Sequence, residues 1–96
     1  MVAYAIFTRE RTTDQSEMDT YASLAGAAGA GHPMTPLVLY GAFEMLEGSP
    51  IEGAVVLQFP TMADAKAWYD SPAYQAAAQH RHAGADYRVF LVEGVG

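Results

Sequence analysis

The chain contains no cysteine and few basic residues, and each shortage excludes a class of protein. Without cysteine it has no disulfide, no thiolate metal site and no cysteine nucleophile. Five lysines and arginines stand against 11 aspartates and glutamates, which gives a formal charge of −6 at pH 7. Because such a surface repels a phosphate backbone, nucleic acid is not an expected partner.

Long apolar runs are also missing. No stretch approaches the roughly 20 apolar residues that cross a bilayer, and the first residues lack the basic and apolar regions of a leader peptide. We therefore expect a soluble cytoplasmic protein that does not bind membranes. The chain is long enough for a single domain over residues 1–96, and so small a core favours support from a second subunit.

What the sequence does contain is an alternation of strand and helix patterns. Strands are expected at residues 2–9, 37–46, 54–59 and 87–93. Apolar spacing predicts one helix over residues 14–28, with Thr13 or Asp14 as its N-cap, and a second helix that Thr61 caps. The second helix breaks at Ser71-Pro72, where Ser71 can cap its continuation to about residue 82. The order β-α-β-β-α-β predicts an α+β fold, a ferredoxin-like antiparallel sheet with its helices on one face.

The segments on either side of the predicted second strand are read as loops. Residues 32–36 contain two prolines and are expected to form a connector without regular pairing. Residues 47–50 read as a short turn, which would join the second and third strands in a hairpin. Gly41 is expected to mark either a bulge or a point of close approach in the second strand.

The predicted strands are apolar on both faces. In the first strand both alternating sets are apolar: Val2, Tyr4 and Ile6 on one face, and Ala3, Ala5 and Phe7 on the other. Helices would cover only one face, so a second copy of the sheet is the simplest cover for the other. We therefore expect a homodimer in which two sheets face each other and form a barrel.

The segment Trp68-Tyr69-Asp70-Ser71-Pro72-Ala73-Tyr74-Gln75 resembles a known family. Together with Glu47-Gly48, residues 55–60, Arg81 and residues 91–94, it is similar to the DUF1330 family within the dimeric α+β barrel superfamily. The resemblance covers nearly the whole chain and implies a ferredoxin-like subunit in a barrel-forming homodimer. That superfamily includes cofactor-independent monooxygenases, haem-degrading enzymes, isomerase-like enzymes and small-molecule sensors, so the resemblance does not choose a reaction.

Two segments depart from the family pattern. The connector from Gly29 to Pro36 is longer and richer in proline than the usual double glycine. Where the second strand of the family often reads Arg-Gly-Gly, this chain has Tyr40-Gly41-Ala42. A basic group near the expected pocket is thus replaced by a phenol. If relatives bind an anionic ligand through that arginine, this chain is not expected to do so.

Three residues are candidates for acid or base catalysis, namely His80, Tyr40 and Glu44. Histidine is the commonest general base, although His80 also lies near a helix C-terminus, where a cation is stabilised. Tyr40 occupies the altered family position. On a strand, Glu44 would share the face of Tyr40, and an apolar barrel would make its carboxylate a better base. The alternative for Glu44 is an exposed charge at the end of the strand.

Four further residues are candidates for binding a ligand: Tyr69, Tyr74, Arg81 and His32. Tyr69 and Tyr74 are expected to face a cavity from either side of the helix break, unless they only fill the core. Arg81 could bind an anion, but an ion pair with an acidic side chain is the stronger interpretation. His32 lies in the connector and could act as a gate or a base, with an ordinary surface histidine as the alternative.

No metal and no cofactor are expected, since the three histidines lack the spacing of a zinc-binding helix. Two functions remain open. One is an enzyme that converts a small hydrophobic molecule by cofactor-independent acid/base chemistry, such as isomerisation, cyclisation or oxygenation. The other is a non-catalytic dimer, such as a stress-associated protein, that only binds such a molecule. A third interpretation is a dimer that has no ligand at all. An enclosed pocket holding a perturbed histidine or carboxylate favours the enzyme, and a hydrocarbon lining favours the binding protein.

Overall fold

The computed structural model describes residues 1–95, which form four strands and three helices. They are, in chain order, β1 Ala3–Thr12, α1 Gln15–Ala28, β2 Thr35–Leu39, β3 Gly53–Phe59, α2 Met62–Tyr69, α3 Pro72–Gly84 and β4 Ala85–Glu93. The strands lie in the order β2-β3-β1-β4, and every neighbouring pair is antiparallel. The predicted ferredoxin-like α+β arrangement is confirmed. In the described part of the chain, no helix combines the length and apolar character needed to cross a membrane.

Each helix begins at a side chain that satisfies N–H groups of its first turn. Asp14 accepts from two backbone N–H groups at the start of α1, while Thr61 and Ser71 each accept from one at the starts of α2 and α3. Pro72 occupies the first turn of α3, where its missing N–H leaves no hydrogen bond unmade. These caps and the break at Ser71-Pro72 are as the sequence predicts.

An aromatic cluster joins α2 and α3 to the sheet. Trp68 is 2% exposed, and its ring centroid lies 4.3 Å from that of Tyr74 on α3. Two strand residues meet the same indole, Phe59 at 5.5 Å and Phe7 at 6.1 Å between centroids. Because these contacts anchor both sides of the bend, the motif that carries the family resemblance has an architectural role.

The face of the sheet that points away from the helices is apolar, and nothing covers it in a single protomer. In the strand register Phe90 lies beside Ile6, and Val92 lies beside Tyr4. Phe90 is 50% exposed, Val92 41% and Val38 on β2 39%. The sheet is therefore apolar on both faces, as the alternation in the sequence predicts, and the helices cover only one of them.

The predicted bounds of the second strand are wrong. β2 covers Thr35–Leu39 and so includes Pro36 from the expected connector. A proline is tolerated there because β2 is an edge strand and because the register shifts between Pro36 and Val38. The antiparallel pairing of β2 with β3 is confirmed, but the short turn between them is wrong, since residues 40–52 contain neither helix nor strand.

Tyr40 is where the chain leaves the sheet. Its φ of 54° lies in the left-handed region, which ends the extended conformation of β2. Gly41 therefore lies beyond the strand and marks no bulge in it. Glu44 lies in the exposed 40–52 loop rather than two pleats from Tyr40, so the strand-based argument for this carboxylate is wrong.

Candidate functional site

A cavity of about 440 Å³ lies between α1 and the helix-facing side of the sheet. It exists because α1 packs mainly against α3 and presents small residues toward the strands. Those small residues are Ala22, Ala25 and Gly26. The remaining wall is largely apolar or aromatic and consists of Phe7, Tyr21, Met34, Pro36, Leu39, Val55, Leu57 and Trp68, with Arg9 and Tyr40 completing it.

Arg9, Tyr40 and Tyr87 form a hydrogen-bonded cluster at the rim of this cavity. Nε of Arg9 donates to the hydroxyl of Tyr87 at 2.8 Å, and Nη2 donates to the hydroxyl of Tyr40 at 3.3 Å. The two hydroxyls lie 2.6 Å apart. The guanidinium carbon of Arg9 also lies 4.7 Å from the ring centroid of Tyr40, within the range of a cation–π contact. Since Tyr40 is 43% exposed, the cluster lies between the cavity and solvent.

Burial and hydrogen bonding set the charge of this rim cluster. Burial raises the pKa of Tyr87, and its hydrogen bond with Tyr40 raises it further. Burial by itself would lower the pKa of Arg9, but the hydrogen bonds to the two phenols raise it above the ordinary value. Tyr87 is therefore protonated and Arg9 positive at neutral pH. The cluster offers hydrogen-bond donors to a ligand, and Tyr87 does not supply a base.

The sequence did not identify Arg9 or Tyr87 as site residues. A signal for Arg9 was present, because it follows Ala3, Ala5 and Phe7 in the helix-facing row of β1. Tyr87 lies directly beside Arg9 only because of the register between β1 and β4. Position 40 is a tyrosine and not an arginine, but the cavity still has a cation. The guanidinium of Arg9 lies over the ring of Tyr40, contrary to the expectation that no basic group is present there.

The other two acid/base candidates do not line the cavity. Nδ1 of His80 on α3 lies 2.6 Å from Oε2 of Glu17 on α1, and this half-exposed pair joins the two helices. Glu44 lies in the exposed loop. Among the three candidates, Tyr40 is the one found in the cavity wall. No group of three or more histidine, aspartate or glutamate side chains in residues 1–95 is placed to hold a metal ion.

The aromatic and histidine candidates for ligand binding lie around the cavity rather than in its wall. Tyr74 is fully buried, and its hydroxyl lies 2.8 Å from that of Tyr21, so it supports the wall from behind. Tyr69 is half-buried beside Trp68 and borders a shallow depression that residues from the end of α3 and from β4 also line. His32 borders another depression, next to β2. The expected placement of Tyr69 and Tyr74 across the cavity from each other is not what the structure shows.

Arg81 is 4% exposed and has no carboxylate within ion-pair distance among the described residues. Its guanidinium carbon lies 5.2 Å from the ring centroid of Tyr87 and 5.7 Å from that of Phe7. The interpretation of Arg81 as one half of an ion pair is therefore wrong. Aromatic faces surround its charge instead, which is a recognised environment for arginine.

Comparison with solved structures confirms the fold. A protein of unknown function from Rhodopseudomonas palustris has a TM-score of 0.72 at 17% identity, over 99% of this chain and 83% of that one. A dimeric ferredoxin-like protein of unknown function from Bacteroides fragilis has a TM-score of 0.68 at 16% identity, over 97% and 96%. SnoaB, a cofactor-independent oxygenase from Streptomyces nogalater, has a TM-score of 0.60 at 12% identity, over 99% and 93%. At these identities the likeness shows the fold alone.

Sequence comparison is more specific about the family. No curated protein matches the chain. The profile of one family, described as a domain of unknown function, DUF1330, matches residues 2–95. The match spans the fold from β1 to the end of β4 and includes the Trp68–Gln75 motif. The chain belongs to the DUF1330 family.

Proposed function

We propose that this protein is a homodimer that binds a small hydrophobic molecule in the cavity beneath α1. The observation that carries the proposal is the cavity, about 440 Å³ in volume and almost wholly apolar apart from Arg9 and the tyrosines of its wall. This volume lies in the range of natural ligand sites, roughly 300–1,000 Å³. Such sites combine apolar walls with a few polar groups that orient the ligand, and the Arg9–Tyr40–Tyr87 cluster meets that description.

The uncovered face of the sheet supports the dimer. In a monomer it would leave Phe90, Val92 and Val38 in contact with water. The Bacteroides fragilis protein of the same fold is dimeric. A second copy seated on this face by a two-fold axis would bury the same residues on both subunits. Because the cavity lies on the opposite side of the sheet, this pairing does not occupy it.

Trp68 makes the binding proposal testable, because it is the single tryptophan of the chain and lines the cavity. We expect hydrophobic ligands to change its fluorescence in a saturable titration. Ala25→Leu would fill part of the cavity and weaken binding about ten-fold. Ala27→Leu places the same side chain on the exposed side of α1 and is the matched control. Equal binding by both variants, or no saturable binding to the wild type, would refute the proposal.

A second candidate function is acid/base conversion of the bound molecule without a cofactor. The rim cluster favours it, because a guanidinium and phenol hydroxyls could stabilise negative charge that develops on a substrate oxygen. In this hypothesis Tyr40 contacts the substrate, whereas His80 and Glu44 would act only if loop or helix movement brought them closer. Tyr40→Phe should then abolish turnover of a bound molecule while changing its dissociation constant only a few-fold. A ligand recovered unchanged from the wild-type protein favours the non-catalytic function.

A further inference from the structure

We propose that the ligand of this cavity is a hydrophobic carboxylate whose anionic group is held by Arg9. The inference rests on the proposed function, since it names the class of molecule that the same cavity takes. Its starting point is the chemistry of Arg9, the one cationic side chain in the cavity wall. A guanidinium carries five N–H donors. Two of its nitrogens already bond to phenols, which hold the group in place and leave N–H donors for a ligand.

The surroundings of Arg9 differ from those of the neighbouring arginines. Arg11 pairs with Asp86 at 3.0 Å, and Arg88 pairs with Glu10 at 3.5 Å. Among residues 1–95, no carboxylate lies within ion-pair distance of Arg9. A chain of net charge −6 thus has a cation without a direct ion pair, among the described residues, at the rim of an apolar cavity.

Glu52 is the acidic residue whose charge acts on Arg9, but its carboxylate is hydrogen-bonded to Thr12. The carboxylate of Glu52 accepts hydrogen bonds from Thr12, at 2.9 Å from the backbone N–H and 2.5 Å from the hydroxyl. Those bonds lower the pKa of Glu52, and the nearby charge of Arg9 lowers it further. Among the described residues, however, Glu52 forms no ion pair with Arg9, so the free N–H donors of the guanidinium can bind an anion from outside the chain.

A carboxylate fits this position better than other polar groups. Its two oxygens match the parallel N–H donors of a guanidinium, and charge-assisted hydrogen bonds are stronger than neutral ones. The hydrocarbon part would lie under α1 against Ala25 and Trp68. The cavity volume of about 440 Å³ corresponds to roughly fifteen water molecules at liquid density. That space suits a medium-length alkyl or aryl chain.

The test compares octanoate with octanamide, which share their chain and shape but differ in charge at neutral pH. We expect the wild-type protein to bind octanoate about ten-fold more tightly than octanamide, followed by Trp68 fluorescence. Equal affinities would overturn the carboxylate inference while leaving the hydrophobic site intact. If neither compound binds, both the inference and the proposed function fail.

Two arginine variants locate the effect. Arg9→Met should lower the affinity for octanoate about ten-fold and leave that for octanamide within about two-fold. Arg11→Met removes the same charge from an exposed position two residues along the strand, and it should change neither affinity. If Arg11→Met weakens octanoate as much as Arg9→Met does, the net charge of the protein and not the rim arginine governs binding. The acid–amide comparison on the wild type needs no variant, so it still decides the matter if Arg9→Met fails to fold.

Discussion

The hydroxyl of Tyr40 lies 2.6 Å from the hydroxyl of Tyr87, although 47 positions separate the two residues. Tyr40 follows β2 at one edge of the sheet, and Tyr87 belongs to β4 at the other edge. Their side chains meet above the two central strands, where Arg9 donates a hydrogen bond to each. This contact therefore links both edges of the sheet at the rim of the cavity.

The tyrosine pair should be measurable as a coupling energy. We expect Tyr87→Phe to lower the free energy of unfolding by about 1–2 kcal/mol, since a partly buried hydroxyl bonded to a charged donor is lost. The double variant with Tyr40→Phe should cost about 1 kcal/mol less than the sum of the single variants. Urea denaturation of the four proteins gives the cycle. Additive effects would show that the hydroxyls do not stabilise each other.

Gly53 should be intolerant of a side chain because of Tyr40. A Cβ at Gly53 would lie 2.6 Å from Cδ1 of the Tyr40 ring, closer than two carbon atoms can approach. We expect Gly53→Ala to destabilise the protein by about 1 kcal/mol, near the lower end for overpacking because Tyr40 is partly exposed. In a Tyr40→Ala background the same substitution should be neutral.

Thermal or urea denaturation tests the Gly53 prediction, with Gly41→Ala as the control. A Cβ at Gly41 meets no atom within 4 Å, so that variant should keep the wild-type stability. A cost of Gly53→Ala that persists without the Tyr40 ring would contradict the proposed cause.

Phe90 should be required for the dimer. Burying a phenylalanine side chain contributes about 1.5–3 kcal/mol, and a two-fold interface buries it twice. We therefore expect Phe90→Asp to raise the dissociation constant at least a hundred-fold, by an order-of-magnitude conversion of that energy. Leu24→Asp introduces the same charge on α1, away from the sheet, and should leave the dimer intact. Analytical ultracentrifugation at micromolar concentration is the measurement, and a stable folded wild-type monomer would rule out the dimer.

The stability of the protein should fall at alkaline pH through Tyr21, Tyr74 and Tyr87. Burial raises the pKa of all three phenols above the ordinary value of about 10, and contact with Tyr74 adds to this for Tyr21. The folded state therefore holds three protons that the unfolded chain loses, so the associated stability is present below about pH 10 and is lost above it. The free energy of unfolding should drop by about 4 kcal/mol per pH unit once the unfolded phenols ionise.

Urea titrations at successive pH values test the alkaline prediction. Tyr21→Phe removes one of the three groups and should reduce the slope by about a third. Ultraviolet absorbance provides an independent check, because fewer than six phenolates should form at pH 11 before the protein unfolds. Simultaneous ionisation of all six tyrosines in the folded protein would contradict the prediction.

Local patterns were sufficient for most of the fold. Asp14, Thr61 and Ser71 were recognised as caps because capping depends on residue type and on a spacing of two or three positions. The two apolar faces followed from alternation along a strand, which likewise needs only near neighbours. The bounds of β2 were missed because a proline in an edge strand and the left-handed turn at Tyr40 depend on pairing with β3.

The candidate site was less predictable from the sequence. Tyr40 was identified because it departs from the family pattern, and it does line the cavity. His80 was a reasonable base by residue type, but its direction is set by Glu17 on the neighbouring helix. Arg81 was expected to find an acid, and it lies instead among aromatic rings contributed by other elements.

Near neighbours along the chain were thus enough to establish the helices and strands, the helix caps, the apolar character of both sheet faces and the family. The rim cluster required long-range information, since Arg9 meets Tyr40 and Tyr87 across separations of 31 and 78 residues. Strand order and register bring these side chains together, and the absence of a side chain at Gly53 makes room for the ring of Tyr40. Those conditions arise when the whole sheet assembles, because no local spacing rule places residues from both edges of a sheet at one point.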